Sequence, residues 1–370
     1  MLVSLLLLGV ASFVVSLLVT AGMLRVAPRL GFVDKPGGRK VHANPKPLLG
    51  GVGIVAGFAL PLLGGFAAFA LAAPDSPDDP RHHLARGAIE QLPLLLAFVG
   101  GIAALHVVGL IDDRRAMGPY GKLLVQLAVS AVLVVGFDVR AMHFLDAHVG
   151  GAWLSWLATI LWITAITNAF NFLDNMDGLS AGVAAVASVA FLVAALSIEQ
   201  WFVAAALAAL LGSLLGFLCW NFPPARIFMG DSGSLVIGFV LGVLTVRTTF
   251  LPPTQSFAAG WYVVFAPLLV LALPLYDLVV VSAIRMANGK SPFVGDTNHF
   301  SHRLVRRGMS KRTAVLCLYL VTAATSAAAI VLPHVTSTLS AVALFVQTLL
   351  VLGVVALLEQ HPLPPSSNDR

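Results

Sequence analysis

The chain alternates between long apolar runs and short polar breaks. A helix of about twenty apolar residues is long enough to cross the hydrocarbon core of a bilayer. By that measure the sequence holds about eleven spans. They lie near 1–24, 48–71, 92–111, 122–137, 151–167, 178–196, 201–220, 233–250, 260–284, 312–332 and 336–358. The run from 260 to 284 contains Pro267 and Pro274, with Asp277 one turn further on. Proline removes a helix N–H and its ring collides with the preceding turn, so this span is expected to kink or break. The pattern predicts an all-α polytopic membrane protein, with one integral-membrane domain over 1–358 and a short polar tail at 359–370. The opening run, Met1 to Gly22, lacks a basic n-region and is expected to be a retained first helix rather than a cleaved signal. No internal repeat and no separate soluble domain are visible.

Composition agrees with the pattern, since apolar residues make up 58% of the chain and charged residues 11%. Such a balance excludes an ordinary soluble domain, and nothing in it calls for a nucleic-acid partner. Charge placement then gives a direction. The connections around 25–47, 112–122, 168–177, 221–231 and 285–312, with the C-terminal tail, carry eighteen of the 22 Lys and Arg residues. The alternate set carries only Arg81, Arg86, Arg140 and Arg247. By the positive-inside rule the first set is cytoplasmic, which predicts a multi-pass protein of the cell (inner) membrane with its N-terminus outside and its C-terminus inside. Cys219 and Cys317 both lie in apolar runs. They are expected to be buried free thiols, without a disulfide or a thiolate metal site.

Against this background the cytoplasmic connections carry too many polar groups to be ordinary turns. Between Asn168 and Leu179 stand Asn168, Asn171, Asp174 and Asp177, where one apolar run ends and the next begins. Ionisable groups at a membrane edge face a wet cavity, an ion or a substrate by default. Carboxylates and amides at this density suit Mg²⁺ with phosphate, or else they cap helices in a solvated turn. A second connection holds the adjacent pair Asp112 and Asp113, with Arg114, Arg115 and then Lys122 and Gln126. Two neighbouring carboxylates need a cation or a proton, which a metal or the flanking arginines would supply. A third runs from Asn221 through Met229-Gly230-Asp231-Ser232-Gly233-Ser234 into a helix. Its backbone N–H groups and hydroxyls form either a phosphate-binding helix start, with a metal beside Asp231, or a plain N-cap. The last contains His299, His302 and Arg303. These are a phosphate clamp or surface residues, and zinc is disfavoured because nothing nearby completes a site. In the first connection, Gly50, Gly51 and Gly53 allow close backbone approach to a ligand or a neighbouring helix.

Together these patches resemble the polyprenyl-phosphate N-acetylhexosamine-1-phosphate transferases, in order and spacing, from about Asp34 to Arg312. The resemblance implies transfer of a sugar 1-phosphate from a UDP-sugar to a membrane polyprenyl phosphate, releasing UMP. It implies Mg²⁺ as cofactor, with Mn²⁺ able to replace it, and it is compatible with a homodimer. It makes Asp112 and Asp113 catalytic, the first as the base toward the lipid phosphate, and gives Asn171 and Asp231 to the metal and diphosphate. His299, His302 and Arg303 fall on the sugar and diphosphate, and Lys122, Asn168, Asp174, Asp177 and Asn221 complete the expected substrate contacts. The Asp34-Lys35-Pro36 opening, Ser291-Pro292-Phe293 and His-x-x-His-Arg-Leu are more similar to the N-acetylglucosamine branch than to the phospho-N-acetylmuramoyl-pentapeptide branch, which is the alternative. Ser301 departs from the branch's third His, and Asn175 from a Gly. The competing class is an ion-coupled secondary transporter. That class places its carboxylates at the midplane on broken, repeated helices, whereas here only Asp277 lies away from the helix ends.

Overall fold

In the computed structural model, which describes residues 1–34, 45–71, 80–248, 261–292 and 298–360, the apolar runs are helices. In chain order these are α1 (Leu2–Leu30), α2 (Gly50–Leu71), α3 (Pro80–Glu90), α4 (Leu92–Arg114) and α5 (Pro119–Gly136). They continue with α6 (Asp146–Val149), α7 (Trp153–Leu173), α8 (Leu179–Ser197), α9 (Trp201–Asn221) and α10 (Asp231–Arg247). The last five are α11 (Ala266–Val270), α12 (Ala272–Ala287), α13 (Phe300–Arg306), α14 (Lys311–Val331) and α15 (Thr338–Gln360). Among the described residues the one sheet is an antiparallel pair of two-residue strands, β1 (Val33–Asp34) and β2 (Lys46–Pro47), with Val33 opposite Pro47. Lys35, Pro36 and Phe293, which contribute to the resemblance, lie outside the described residues.

Nine of the described helices are long and apolar enough to cross a membrane, and the bent pair around α11 and α12 makes a tenth. The expected span at 233–250 is α10, whose 17 residues put it at the short end of the spanning range, about 17–25. The expected break in the ninth span is present, with Trp261–Val270 and Ala272–Ala287 meeting at 69°. Pro267 sits in the first turn of α11 and Pro274 in the first turn of α12, positions where a missing N–H costs no helix bond. Each proline therefore starts a new helix instead of interrupting an old one.

Lipid is as apolar as leucine, so these helices associate through small residues and hydrogen bonds. On α1 the side chains of Leu2, Leu6, Leu7 and Leu18 are exposed, while Ser12, Ser16 and Thr20 are fully buried against α2 and α9. Ser16 Oγ donates to the Ser213 carbonyl at 2.7 Å. α10 is buried from Ser232 to Thr245 and is surrounded by α2, α4, α7 and α8. A helix apolar on every face belongs inside a bundle, and this one carries its first residue, Asp231, to the end of the bundle where the other polar connections gather. Both cysteines are free, but Cys219 is exposed and Cys317 half-buried, which corrects the expectation of buried thiols. In a bilayer an apolar run has no need to face protein.

Candidate active site

The loop before α10 is tied down mostly through its backbone. Phe228 N–H donates to the Pro47 carbonyl at 2.8 Å, and the N–H groups of Gly50 and Gly51 donate to Phe228 and Met229, each at 3.0 Å. The approach that the glycines at the start of α2 permit is therefore to the protein itself: Gly50 meets the Phe228 backbone, Gly51 the start of α10 at Ser232 and Gly233, and Gly53 Thr20 on α1. Asp177 accepts the Ala225 N–H at 3.0 Å. Asn221, 3% exposed, accepts from Gly178 N–H at 2.9 Å and donates to the Ile227 carbonyl at 2.8 Å. Asp177 and Asn221, both expected on the substrate, here brace the loop that presents Asp231.

Two helix ends then meet backbone to backbone. A Cβ at Gly109 would collide with the Asp231–Ser232 backbone, so α4 touches the start of α10 directly. One turn on, Asp113 accepts the N–H of Asp231 at 2.8 Å and that of Ser232 at 3.2 Å. One turn back, His106 Nδ1 lies 2.9 Å from the Ser232 carbonyl oxygen. The N–H groups of Gly233 and Ser234 turn back to the Gly230 carbonyl. The helix start that the sequence offered to phosphate is thus capped by a carboxylate 118 residues away.

Asp231 itself points into a network from four helices. Lys122 Nζ on α5 lies 2.6 Å from Asp231 Oδ2 and 3.1 Å from Asp112 Oδ2, so its ammonium bridges the two acids. Asp112 also accepts the Met117 N–H at 2.7 Å, which closes the α4–α5 turn. From α7, Asn171 Nδ2 donates to Asp231 Oδ1 at 2.9 Å and to Ser234 Oγ at 3.0 Å. Asn168 lies one turn deeper, bonded to Gln126 Oε1 and the Thr164 carbonyl. Asp174, just past α7, has its carboxyl held well above the usual range by burial, and next by the charges of Asp231, Asp113 and Asp177.

The third group, on α13, is held differently from what the sequence suggested. His299 Nδ1 donates to Asp277 Oδ2 at 2.7 Å, and its Nε2 faces Arg285 at 3.3 Å. Arg303 pairs with Glu359 on α15. Ser301 Oγ donates to Asn175 Oδ1 at 2.5 Å, and the Phe172 ring meets the His299 ring edge-on, so α13 is docked on the α7–α8 turn beside Asn171. His302 has its pKa pushed down to about 4 by burial first and then by His299, Arg306 and Lys311, and is neutral at pH 7. Arg285 and Glu359 are not among the site residues expected from sequence; each is a charge at the end of an apolar run, the one signal that would have found them.

The donor set tests well against Mg²⁺. Asp231 and Asp112 offer hard oxygens and the Lys122 ammonium, a cation, already rests between them, while Asn171 turns its Nδ2 to Asp231 and would present an oxygen after an amide flip. Among the described residues no three His, Cys, Asp or Glu side chains would hold a metal by themselves. A Mg²⁺ ion here would complete its shell with water and phosphate.

Residues 95–249 match the family described as glycosyl transferase family 4. The chain is 31% identical over 348 residues to a Bacillus subtilis protein named probable undecaprenyl-phosphate N-acetylglucosaminyl 1-phosphate transferase, covering 91% of this chain and 88% of that one. It belongs to the polyprenyl-phosphate sugar-1-phosphate transferases. Two further members of this transferase family are similar over much of their length. The decaprenyl-phosphate N-acetylglucosaminephosphotransferase of Mycobacterium tuberculosis H37Rv is 31% identical over 336 residues, 85% of this chain and 79% of that one. The undecaprenyl-phosphate alpha-N-acetylglucosaminyl 1-phosphate transferase of Haemophilus influenzae is 31% identical over 313 residues, 81% and 79% of the two chains. The matched segment of this transferase takes in Asp112, Asp113, Lys122, Asn171 and Asp231, and it ends before α13.

Proposed function

We propose that the protein transfers N-acetylglucosamine 1-phosphate from its UDP-sugar to a polyprenyl phosphate, at the cytoplasmic face of the inner membrane. The product would start a lipid-linked cell-envelope polysaccharide. The names of the relatives support the acceptor and the sugar, and they do not favour the muramoyl-pentapeptide alternative. The observation that carries the reading is the Lys122 ammonium bridging Asp112 and Asp231 at the ends of four helices. Phosphoryl transfer depends mainly on positioning and charge neutralisation, which a lysine shared between two carboxylates at helix ends can supply.

In the reaction, an oxygen of the lipid phosphate attacks the phosphorus that bears the sugar. The bond from that phosphorus to the bridging oxygen breaks, and UMP leaves with the bridging oxygen. Asp112 would keep the attacking phosphate deprotonated through the oxygen that faces Lys122, its other oxygen being on the Met117 N–H, whereas Asp113 has both oxygens on backbone N–H groups. Lys122 shifts from the carboxylates onto the more highly charged diphosphate. Asp231 and Asn171 would hold Mg²⁺, which supplies neutralisation of the diphosphate charge. Neutral His302 offers hydrogen bonds to the sugar without drawing the diphosphate away from Lys122.

The test is UMP release by purified protein given polyprenyl phosphate and a panel of UDP-sugars, with and without Mg²⁺. Turnover with UDP-N-acetylglucosamine that EDTA abolishes is expected, and faster turnover of the muramoyl-pentapeptide donor would move the assignment to the other branch. The proposed orientation is checked in intact cells lacking Cys219 and Cys317. An impermeant maleimide should label Ala147→Cys and spare Ser291→Cys, and labelling of the second would reverse the orientation.

A further inference from the structure

Two buried carboxylates outside the Asp112–Asp231 cluster converge on α13. Asp277, fully buried on α12, takes the Nδ1–H of His299, the residue that caps the start of α13. Its other oxygen lies 3.4 Å from the Phe300 backbone nitrogen. Glu359, 6% exposed at the end of α15, pairs with the Arg303 guanidinium, whose remaining terminal nitrogen donates to the Asn298 carbonyl. The two acids thus come from different helices and grip successive turns of one short element.

That arrangement exceeds what holding helices together requires. A buried ion pair adds little over an apolar pair of the same size, because desolvation offsets the attraction. What the pair adds is direction, since the guanidinium fork accepts a carboxylate in few orientations. α13 has seven residues, far below the roughly 12–15 at which a helix becomes marginally stable alone. Its orientation must therefore come from outside: Phe300 and Leu304 are buried in the core and Phe172 and Arg285 face His299, while Asp277, Glu359 and Asn175 add the polar tethers that give direction. Between their attachment points stands His302, its ring 6.4 Å from that of His299.

We propose that Glu359 is a positioning residue for the sugar donor: by fixing Arg303 it sets the orientation of α13 and makes the end of the last helix part of the donor site. Asp277 does the same from the opposite side through His299. This inference rests on the proposed function, which gives α13 to the donor.

Steady-state kinetics on Glu359→Gln, with UDP-N-acetylglucosamine and polyprenyl phosphate varied separately, test it. The KM for the donor should rise about tenfold while that for the lipid stays within about twofold, as for a lost interaction that orients one substrate. Glu359→Asp, which keeps the charge one carbon further back, should recover part of the loss. A lost tether between helices would raise both KM values together or lower only the amount of folded protein. An equal rise in both, or no rise, overturns the assignment. If Glu359→Gln fails to accumulate, donor binding to Glu359→Asp by calorimetry decides, and an unchanged Kd overturns it. A wild-type protein that releases no UMP from this donor would overturn the underlying functional reading instead, so the two failures are distinguishable.

Discussion

Asp113 caps the helix that Asp231 begins: its two oxygens take the backbone N–H groups of Asp231 and Ser232, at 2.8 and 3.2 Å. Adjacent aspartates on one helix end therefore have different tasks. Asp113 builds the site, and Asp112 faces Lys122 within it.

The division predicts different phenotypes for Asp112→Asn and Asp113→Asn. Asparagine at 113 can accept only one of the two N–H bonds, and an unmet buried donor costs about 1–3 kcal/mol. The melting temperature in detergent should fall along with activity. Asparagine at 112 keeps an acceptor for Met117 N–H, so stability should be near wild type while turnover is abolished and donor binding persists. Equal melting shifts in the two variants would contradict the division.

Asp231→Asn retains size and the contact with Asn171 but loses the charge that faces Lys122. Activity should fall by about a hundredfold or more, and the Mg²⁺ concentration for half-maximal activity should rise. Near-wild-type turnover with an unchanged Mg²⁺ requirement in folded protein would remove Asp231 from the metal.

The 69° bend between α11 and α12 lies between Pro267 and Pro274. A polyprenyl tail that reached the site past this break would depend on both prolines. Replacing both prolines with alanine should raise the KM for the lipid more than that for the UDP-sugar. An equal effect on both would assign the prolines to folding alone.

His302 gives a pH dependence whose sign follows from its depressed pKa. The group titrates at about 4 in the fold against 6.5 in the unfolded chain, so between those values the unfolded chain binds more protons. Stability from this group is complete above pH 6.5 and is lost as pH falls toward 4. His302→Gln should flatten the fall in melting temperature across that window, and an unchanged profile would show that the ring is solvated.

Much of the architecture was legible because a bilayer demands long apolar helices, although α1, α4 and α7 run past the ends of their expected spans, so that Asp112, Asp113, Asn168 and Asn171 lie on helices and not in connections. The break at Pro267 and Pro274 followed from local chemistry, whereas the grouping of Asp112, Asn171 and Asp231 in one site was what the family resemblance implied. What local patterns do not show is which polar group answers which. The start of α10 read equally as an open phosphate site or a plain N-cap because its partner, Asp113, is 118 residues away. The resemblance gave Asp177 and Asn221 to the substrate, and a sequence does not distinguish a polar side chain facing a ligand from one facing a loop. Glu359 read as part of a polar tail, although α15 carries it into the fold as far as Gln360.

The tethering of the loop before α10 bears on how this site can vary. Phe228, Met229 and Arg226 are held through their own N–H and C=O groups, by Pro47, Gly50, Gly51 and Trp220. Every residue type except proline brings the same N–H, so these anchors do not depend on which side chains the loop displays. Saturation mutagenesis at Arg226 and Phe228 should therefore find many functional replacements, with proline excluded. At Gly109, where any side chain would force α4 and α10 apart, it should find almost none. The geometry of the acidic cluster is in this sense buffered against drift in the very segment that leads into it.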